Sequence, residues 1–559
     1  MKYILLLITL FVSIIDVQAQ ETPVMRALKA ELNRTMTELQ SQKNPPYFLS
    51  YSVTETQTVR LSASFGRIEL DEAPKNRILD IDLRVGDYKV DNTHIMRGSR
   101  FEFGGSGRGV ELPFSDDEQT LRSVIWANTD RQFKKAVERY GKVLTNKAVK
   151  VKEEDSSADF SFERPAQYKE QGATFVIDTA TWRERLKRLS AIFSSQQDIY
   201  QGKVYFQADI LTKYFVSSEG TELQTSEPNV RVFAQAVTKS DDGMTLPLYR
   251  SYFAFTPDRL ATEKEMEQDI RNMIAIGIQL RSAPLAETVS CPAILSGEAS
   301  GVFFHEIFGH RVEGHRQKDP NSSQTFKSFV GKKILPDFID VVFDPTLKTL
   351  AGKDIVGYFK YDDEGVLGQK VVAVKDGIFQ NFLMSRSPIE NFITSNGHGR
   401  KQAGYKSVSR QSNLMVLTKK QVPFDTLKTM LRAECKKQGK EYGLYFVEIS
   451  GGFTFTNRTI PNAFNVQPLV VYKIYADGRP DELVRGVDLI GTPLTTFNNI
   501  ISAADDLGIF NGVCGAESGG VPVSASSPSL LVSTIEVQKK QKSQAKPPLL
   551  PSPIGSTGK

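Results

Sequence analysis

The stretch that most constrains the fold is residues 301–317, GVFFHEIFGHRVEGHRQ. The protein has five histidines, and three of them, His305, His310 and His315, fall in this one segment. Phe303, Phe304, Ile307, Phe308 and Val312 are interleaved with them, so burying the apolar side chains carries imidazoles and the Glu306 carboxylate inside as well. Buried polar groups need partners. Imidazoles gathered beside a carboxylate point to a bound metal with a proton-handling acid.

The spacing is unusual. Two metal-binding histidines on one helix face normally stand four apart, as in HExxH. Here the pattern is HExxxH, and at 3.6 residues per turn an i, i+5 pair is rotated by about 140° rather than about 40°. Two devices would bring both rings to one ion: a π-bulge, or a helix that stops between them. Gly309 suits either. On this reading His305 and His310 are ligands, and Glu306 is the base for a water on the metal, whose pKa zinc lowers to about 7. A hydrolytic site of this type needs a third protein ligand. The candidates are His315, His398, Cys514, Glu313 and the cluster Asp362, Asp363, Glu364, and their residue types alone do not separate them.

The rest of the chain has the pattern of an α+β fold. Residues 21–43, 116–144, 181–195 and 261–280 place apolar side chains at helical spacing, with proline pairs or polar turns to end them. Residues 47–85, 203–216 and 231–238 alternate apolar and polar as strands do, and 152–163 read as a loop. The second half is richer in strands (338–343, 370–374, 414–417, 445–449, 468–475), with one amphipathic helix at 424–438 besides the histidine helix. The expected organisation is an N-terminal α+β domain over 20–285 and a strand-rich C-terminal domain over 286–538 that carries the HExxxH helix. The lone His94 reads as a structural histidine.

The ends add a location. Lys2 followed by an apolar run to Ile15 and small residues at 17–19 reads as a secretory signal peptide over 1–19, too short for the roughly 20 residues of a membrane span. No cysteine follows the expected cut, so an exported, periplasmic protein without a lipid anchor is expected. Residues 539–559, rich in lysine, proline and serine, read as a disordered tail. Seventy basic against 65 acidic residues leave a net charge of +5, dispersed along the chain, which gives no basis for a nucleic-acid partner. Export makes the three cysteines, Cys291, Cys435 and Cys514, an odd number in an oxidising compartment. An unpaired thiol there has a reason to exist if it binds metal.

Five segments in order carry a family pattern: HEIFGH with Val312-Glu313-Gly314; Tyr361-Asp362-Asp363-Glu364-Gly365 with Gly368-Gln369; Ser395-Asn396-Gly397-His398-Gly399-Arg400; Arg410-Gln411-Ser412-Asn413; and Val513-Cys514-Gly515 with Val521-Pro522-Val523 and Ser527-Pro528. Between residues 301 and 531 the chain resembles the TldD/PmbA family of metalloproteases, in its metal-bearing TldD-like branch. The resemblance implies a zinc ion held by His305, His310 and Cys514, with Glu306 as general base, and leaves Cys291 and Cys435 available for a disulfide. It further implies a peptidase acting on short or unfolded polypeptides, as a homodimer or a heterodimer with a TldD/PmbA paralogue. The alternatives are a non-catalytic partner subunit with a structural metal, or a zinc hydrolase acting on a non-peptide bond. Three features depart from the family: the export signal, the tail, and His315 where an acidic residue is common.

Overall fold

In the computed structural model the described residues are 21–96, 109–148, 155–174, 176–454, 456, 464–491 and 497–540. The signal peptide expected at 1–19 and all but the first two residues of the expected tail lie outside them.

The first half is built on one sheet, antiparallel except for the short strand Gln167–Lys169. Strand Pro46–Ser64 pairs with Gln201–Ser217, so that Tyr51 faces Val216 and Leu61 faces Phe206, and Gln201–Ser217 pairs in turn with Glu222–Lys239. Strict alternation gives this sheet two different faces. Leu49, Tyr51, Val53 and Leu61 share one face with Val204, Phe206 and Val216, all buried. Helices Pro23–Leu39 and Glu118–Ala148 cover one end of that face through Leu28, Leu121 and Ile125. Helices Thr179–Ala191 and Glu263–Ser282 cover the other end through Leu186, Met266 and Ile270.

The opposite face receives the second half of the chain. Lys213 pairs with Asp363 at 2.9 Å, and Arg231 donates to the carbonyl of Asn511 at 3.0 Å. Gly365 meets the Phe215 ring so closely that a Cβ would stand 2.6 Å from it, and its φ of +83° also excludes other residues at low cost. The expected acidic turn 361–365 is therefore a joint between the two halves. His94 is also structural: it is buried, with Nδ1 2.8 Å from Asp159 Oδ1.

The second half holds two sheets. In one, Ile339–Phe343, Asn413–Thr418, Gly519–Ser527 and Gly508–Ala516 follow one another, and Gly508–Ala516 (the cysteine strand) ends the sheet. In the other, Tyr442–Thr454, Val289–Leu295, Leu530–Lys539, Val487–Gly491 and Phe464–Tyr475 follow in order, and pairing of the first with the last closes the ring. The histidine helix, Gly297–Ile307, packs between the two sheets. Its seat depends on glycine. A Cβ on Gly297 would stand 2.3 Å from the Gly508 nitrogen, and one on Gly301 2.8 Å from the Ala525 carbonyl oxygen. The helix thus lies directly on the backbone of the cysteine hairpin, while Phe304 and Phe308 point into a core with Phe326, Phe343, Phe379 and Phe497. The fold is α+β, with the strand-rich second half carrying the HExxxH helix, as the sequence pattern predicts.

Glu298, in the first turn of that helix, has a measurable consequence. Burial, and then the neighbouring Glu448 carboxylate, push its carboxyl from 4.5 up to about 7. Because the folded value is raised, stability is full below pH 4.5 and falls as pH rises through 7, where the unfolded chain ionises first. Glu298→Gln is expected to stabilise the protein by up to about 3 kcal/mol at pH 8 and to change little at pH 4; thermal unfolding at the two pH values checks this.

Candidate metal centre

The histidine helix stops between its two key residues. Its last turn closes at Ile307, and Gly309–Arg311 form a separate 3-10 turn. Of the two devices that would correct the i+5 spacing, the chain uses termination and not a π-bulge. Arg311 helps to end the helix, because its Nη1 donates to the carbonyls of Glu306 and Ile307 at 2.9 and 3.2 Å, two groups left without helical partners. Gly309 allows the turn to press against Gln411, whose Oε1 would lie 1.9 Å from a Cβ there. The rings of His305 and His310 end 5.0 Å apart, with planes at 76°.

The third group comes from the cysteine strand. Cys514 Sγ lies 3.3 Å from His310 Nε2. The donor atoms of His305, His310 and Cys514 all fall within 4.8 Å of one another, and all three residues are buried. Zinc with bonds of about 2.0–2.1 Å to nitrogen and 2.3 Å to sulfur sets tetrahedral donors about 3.4–3.6 Å apart. Two imidazoles and a thiolate at this spacing fit such an ion. The electrostatics agree. Burial opposes ionisation of the thiol, but the His310 and His305 rings outweigh it and hold Cys514 well below the usual thiol value. Burial likewise opposes protonation of His310, and the Cys514 thiolate and Glu313 carboxylate outweigh it. The pocket favours a thiolate and a compensating cation.

Glu306 and the three donors line one cleft of about 370 Å³ together with residues 450–454, Val513 and Gly515. The remaining ligand candidates lie elsewhere. His315 contacts Glu517 through Nε2. His398 is enclosed, with Nε2 3.1 Å from Ser412 Oγ, and burial lowers it to about 3. Of the three acids at 362–364, Asp363 pairs with Lys213 of the first sheet, while Asp362 and Glu364 accept from the backbone amides of Gly399 and Arg386. Glu313 stands behind His310, its Oε2 3.3 Å from Nδ1. Around this centre, sequence reasoning passed over Arg316 and Glu517, and marked Arg410 and Gln411 only as part of a family pattern without a role. Cys291 and Cys435 are buried free thiols, so the disulfide left open for them is absent from the structure.

Two buried histidines, one on the glycine-seated helix and one in the turn that follows it, meet a thiol from the cysteine strand beside a carboxylate in the same cleft, and together they form a candidate metal centre. Residues 288–539, somewhat under half of the chain, match the PmbA/TldA metallopeptidase C-terminal domain. A protein named a metalloprotease in Archaeoglobus fulgidus is 31% identical over 238 residues, 43% of this chain and 51% of its own length. A zinc metalloprotease TldD homolog of Saccharolobus solfataricus is 24% identical over 249 residues, 44% of this chain and 51% of its own. The match therefore spans about half of each relative. The crystal structure of TldE from Thermococcus kodakarensis has the same fold, with a TM-score of 0.60 at 13% identity, covering 92% of this chain and all of that one. That likeness extends the shared fold into the first half.

Proposed function

We propose that this protein is a zinc-dependent peptidase that hydrolyses short or unfolded polypeptides. The observation that supports it is the grouping of His305, His310 and Cys514 donor atoms within 4.8 Å of one another, with Glu306 lining the same cleft. Zinc at such a site supplies Lewis-acid polarisation of a carbonyl and lowers the pKa of water toward 7. Glu306 takes the proton from the attacking water and delivers it to the leaving amine. The cysteine strand has a pairing partner on one side only among the described residues. An extended substrate would add to its open edge and run along the cleft, held by main-chain hydrogen bonds rather than by side-chain pockets. Export and a two-subunit assembly, homodimeric or with a paralogue, belong to the same proposal and rest on the sequence.

Freshly purified protein is expected to hold one zinc per chain, to lose it in Cys514→Ser and to keep it in His315→Ala, as read by elemental analysis. Digestion of an unstructured peptide library tests the activity. A protein that holds zinc and cleaves nothing would be the non-catalytic subunit instead.

A further inference from the structure

Two adjacent residues, Arg410 and Gln411, stand at the start of the strand Asn413–Thr418 and reach the supports of all three donors. Arg410 is fully enclosed. Its Nη2 donates to the Cys514 carbonyl at 2.6 Å, and its Nη1 to Ser518 Oγ at 2.7 Å and to the Gly519 carbonyl at 3.0 Å, which ties the turn of the cysteine hairpin. Its Nε lies 3.5 Å from Glu313 Oε1, and neither atom has a hydrogen-bond partner among the described residues. The other oxygen of Glu313 faces His310 Nδ1 at 3.3 Å. Gln411 donates from Nε2 to the His305 carbonyl at 3.2 Å, on the far side of the Gly309 turn.

We infer that Arg410, Glu313 and Gln411 form a positioning frame that sets the three donors in place before the ion arrives. The inference rests on the reading of His305, His310 and Cys514 as metal ligands. A carboxylate on one imidazole nitrogen fixes the ring and its tautomer, and turns the other nitrogen toward the metal; here Nε2 is the atom that faces Cys514 Sγ. Burying a guanidinium is expensive unless charge and hydrogen bonds compensate it. Arg410 meets that cost by joining two parts of the chain 104 residues apart, the segment leading into the strand Asn413–Thr418 and the hairpin that brings the thiol. Through Glu313 it links the thiol's support to the support of His310, so one rigid piece governs their separation. Gln411 does the same for the backbone of His305.

The test uses the full chain and cobalt(II) in competition with a chelator. The near-ultraviolet thiolate-to-cobalt band reports coordination by Cys514, and the melting temperature of the metal-free protein reports the fold. Glu313→Gln, which keeps size and removes the charge that His310 and Arg316 face, is expected to weaken cobalt binding about ten- to a hundredfold, with the band intact at saturation and the metal-free protein folded but melting at a lower temperature. Arg410→Gln is expected to act alike, and the double variant to lose no more than the worse single one, because both break the same link. Wild-type affinity in Glu313→Gln, or losses that add in the double variant, would overturn the frame. Should Arg410→Gln not fold, Glu313→Gln and Glu313→Asp decide alone: affinity must fall in both. A wild-type protein without the band overturns the metal reading and the frame together, whereas a band with unchanged Glu313→Gln affinity overturns the frame only.

Discussion

Glu306→Gln is expected to retain its zinc and to cleave an unstructured peptide about 10²–10⁴ times more slowly than the wild type. The two halves of this expectation have separate origins. The amide matches the carboxylate in size, and Glu306 is not among the three residues whose donor atoms meet, so the metal has no reason to leave. The amide has no basicity near neutral pH, so the proton of the attacking water loses its acceptor. Elemental analysis and a peptide digest on the same preparation read the two halves. Activity within tenfold of wild type would mean that the base lies elsewhere in the cleft.

Arg386→Ala is expected to have the largest effect on stability. Arg386 belongs to the second half but is enclosed by the first, at 2% exposure. Its Nε and Nη2 donate to the Ser161 carbonyl at 3.1 and 2.5 Å, and Nη2 also meets Glu219 Oε1 at 2.7 Å. The guanidinium lies over the Phe160 ring at 3.9 Å and the Phe48 ring at 4.9 Å. Truncation leaves the buried Glu219 carboxylate without its cation and opens a void between two rings. Breaking a buried pair in this way costs about 3–5 kcal/mol, and the lower end applies because the Tyr88 hydroxyl still donates to Glu219. In urea unfolding, a loss of about 3 kcal/mol is expected, together with earlier release of the first sheet if this joint is what couples the two halves. A change under 1 kcal/mol would mean the joint is carried by Lys213–Asp363 and its neighbours.

The parts of the fold that were legible in the sequence are those where periodicity and burial coincide. Alternation along residues 203–216 follows from a sheet with helices on one face and the second half on the other. Helix 263–282 shows its apolar stripe because only one side of it is covered. Strand 245–254 was missed, and so was the cysteine hairpin. Residues 508–527 are rich in glycine and serine and lack the alternation that marks a strand; the histidine helix rests on their backbone, a contact no local pattern records. In the candidate site, the histidine cluster was visible but its spacing was ambiguous, since the helix end at Ile307 is fixed by Arg311 and Gln411 together. The residues alone left five candidates for the third donor; resemblance to the family singled out Cys514, and the structure brings that thiol beside His310. Arg410 stood out only within a family pattern, and its role was not legible because its partners are about a hundred residues away.

The long separation of the donors has a temporal consequence. His310 and Cys514 are 204 residues apart, and a ribosome adding about 5–20 residues per second needs roughly 10–40 s to pass from one to the other. Throughout that interval the emerging polypeptide carries the histidines and the glutamate without the thiol, and the helix lacks the hairpin on which Gly297 and Gly301 sit. The centre therefore cannot assemble on a partly made chain. Whatever chemistry it performs is withheld until most of the protein has been translated.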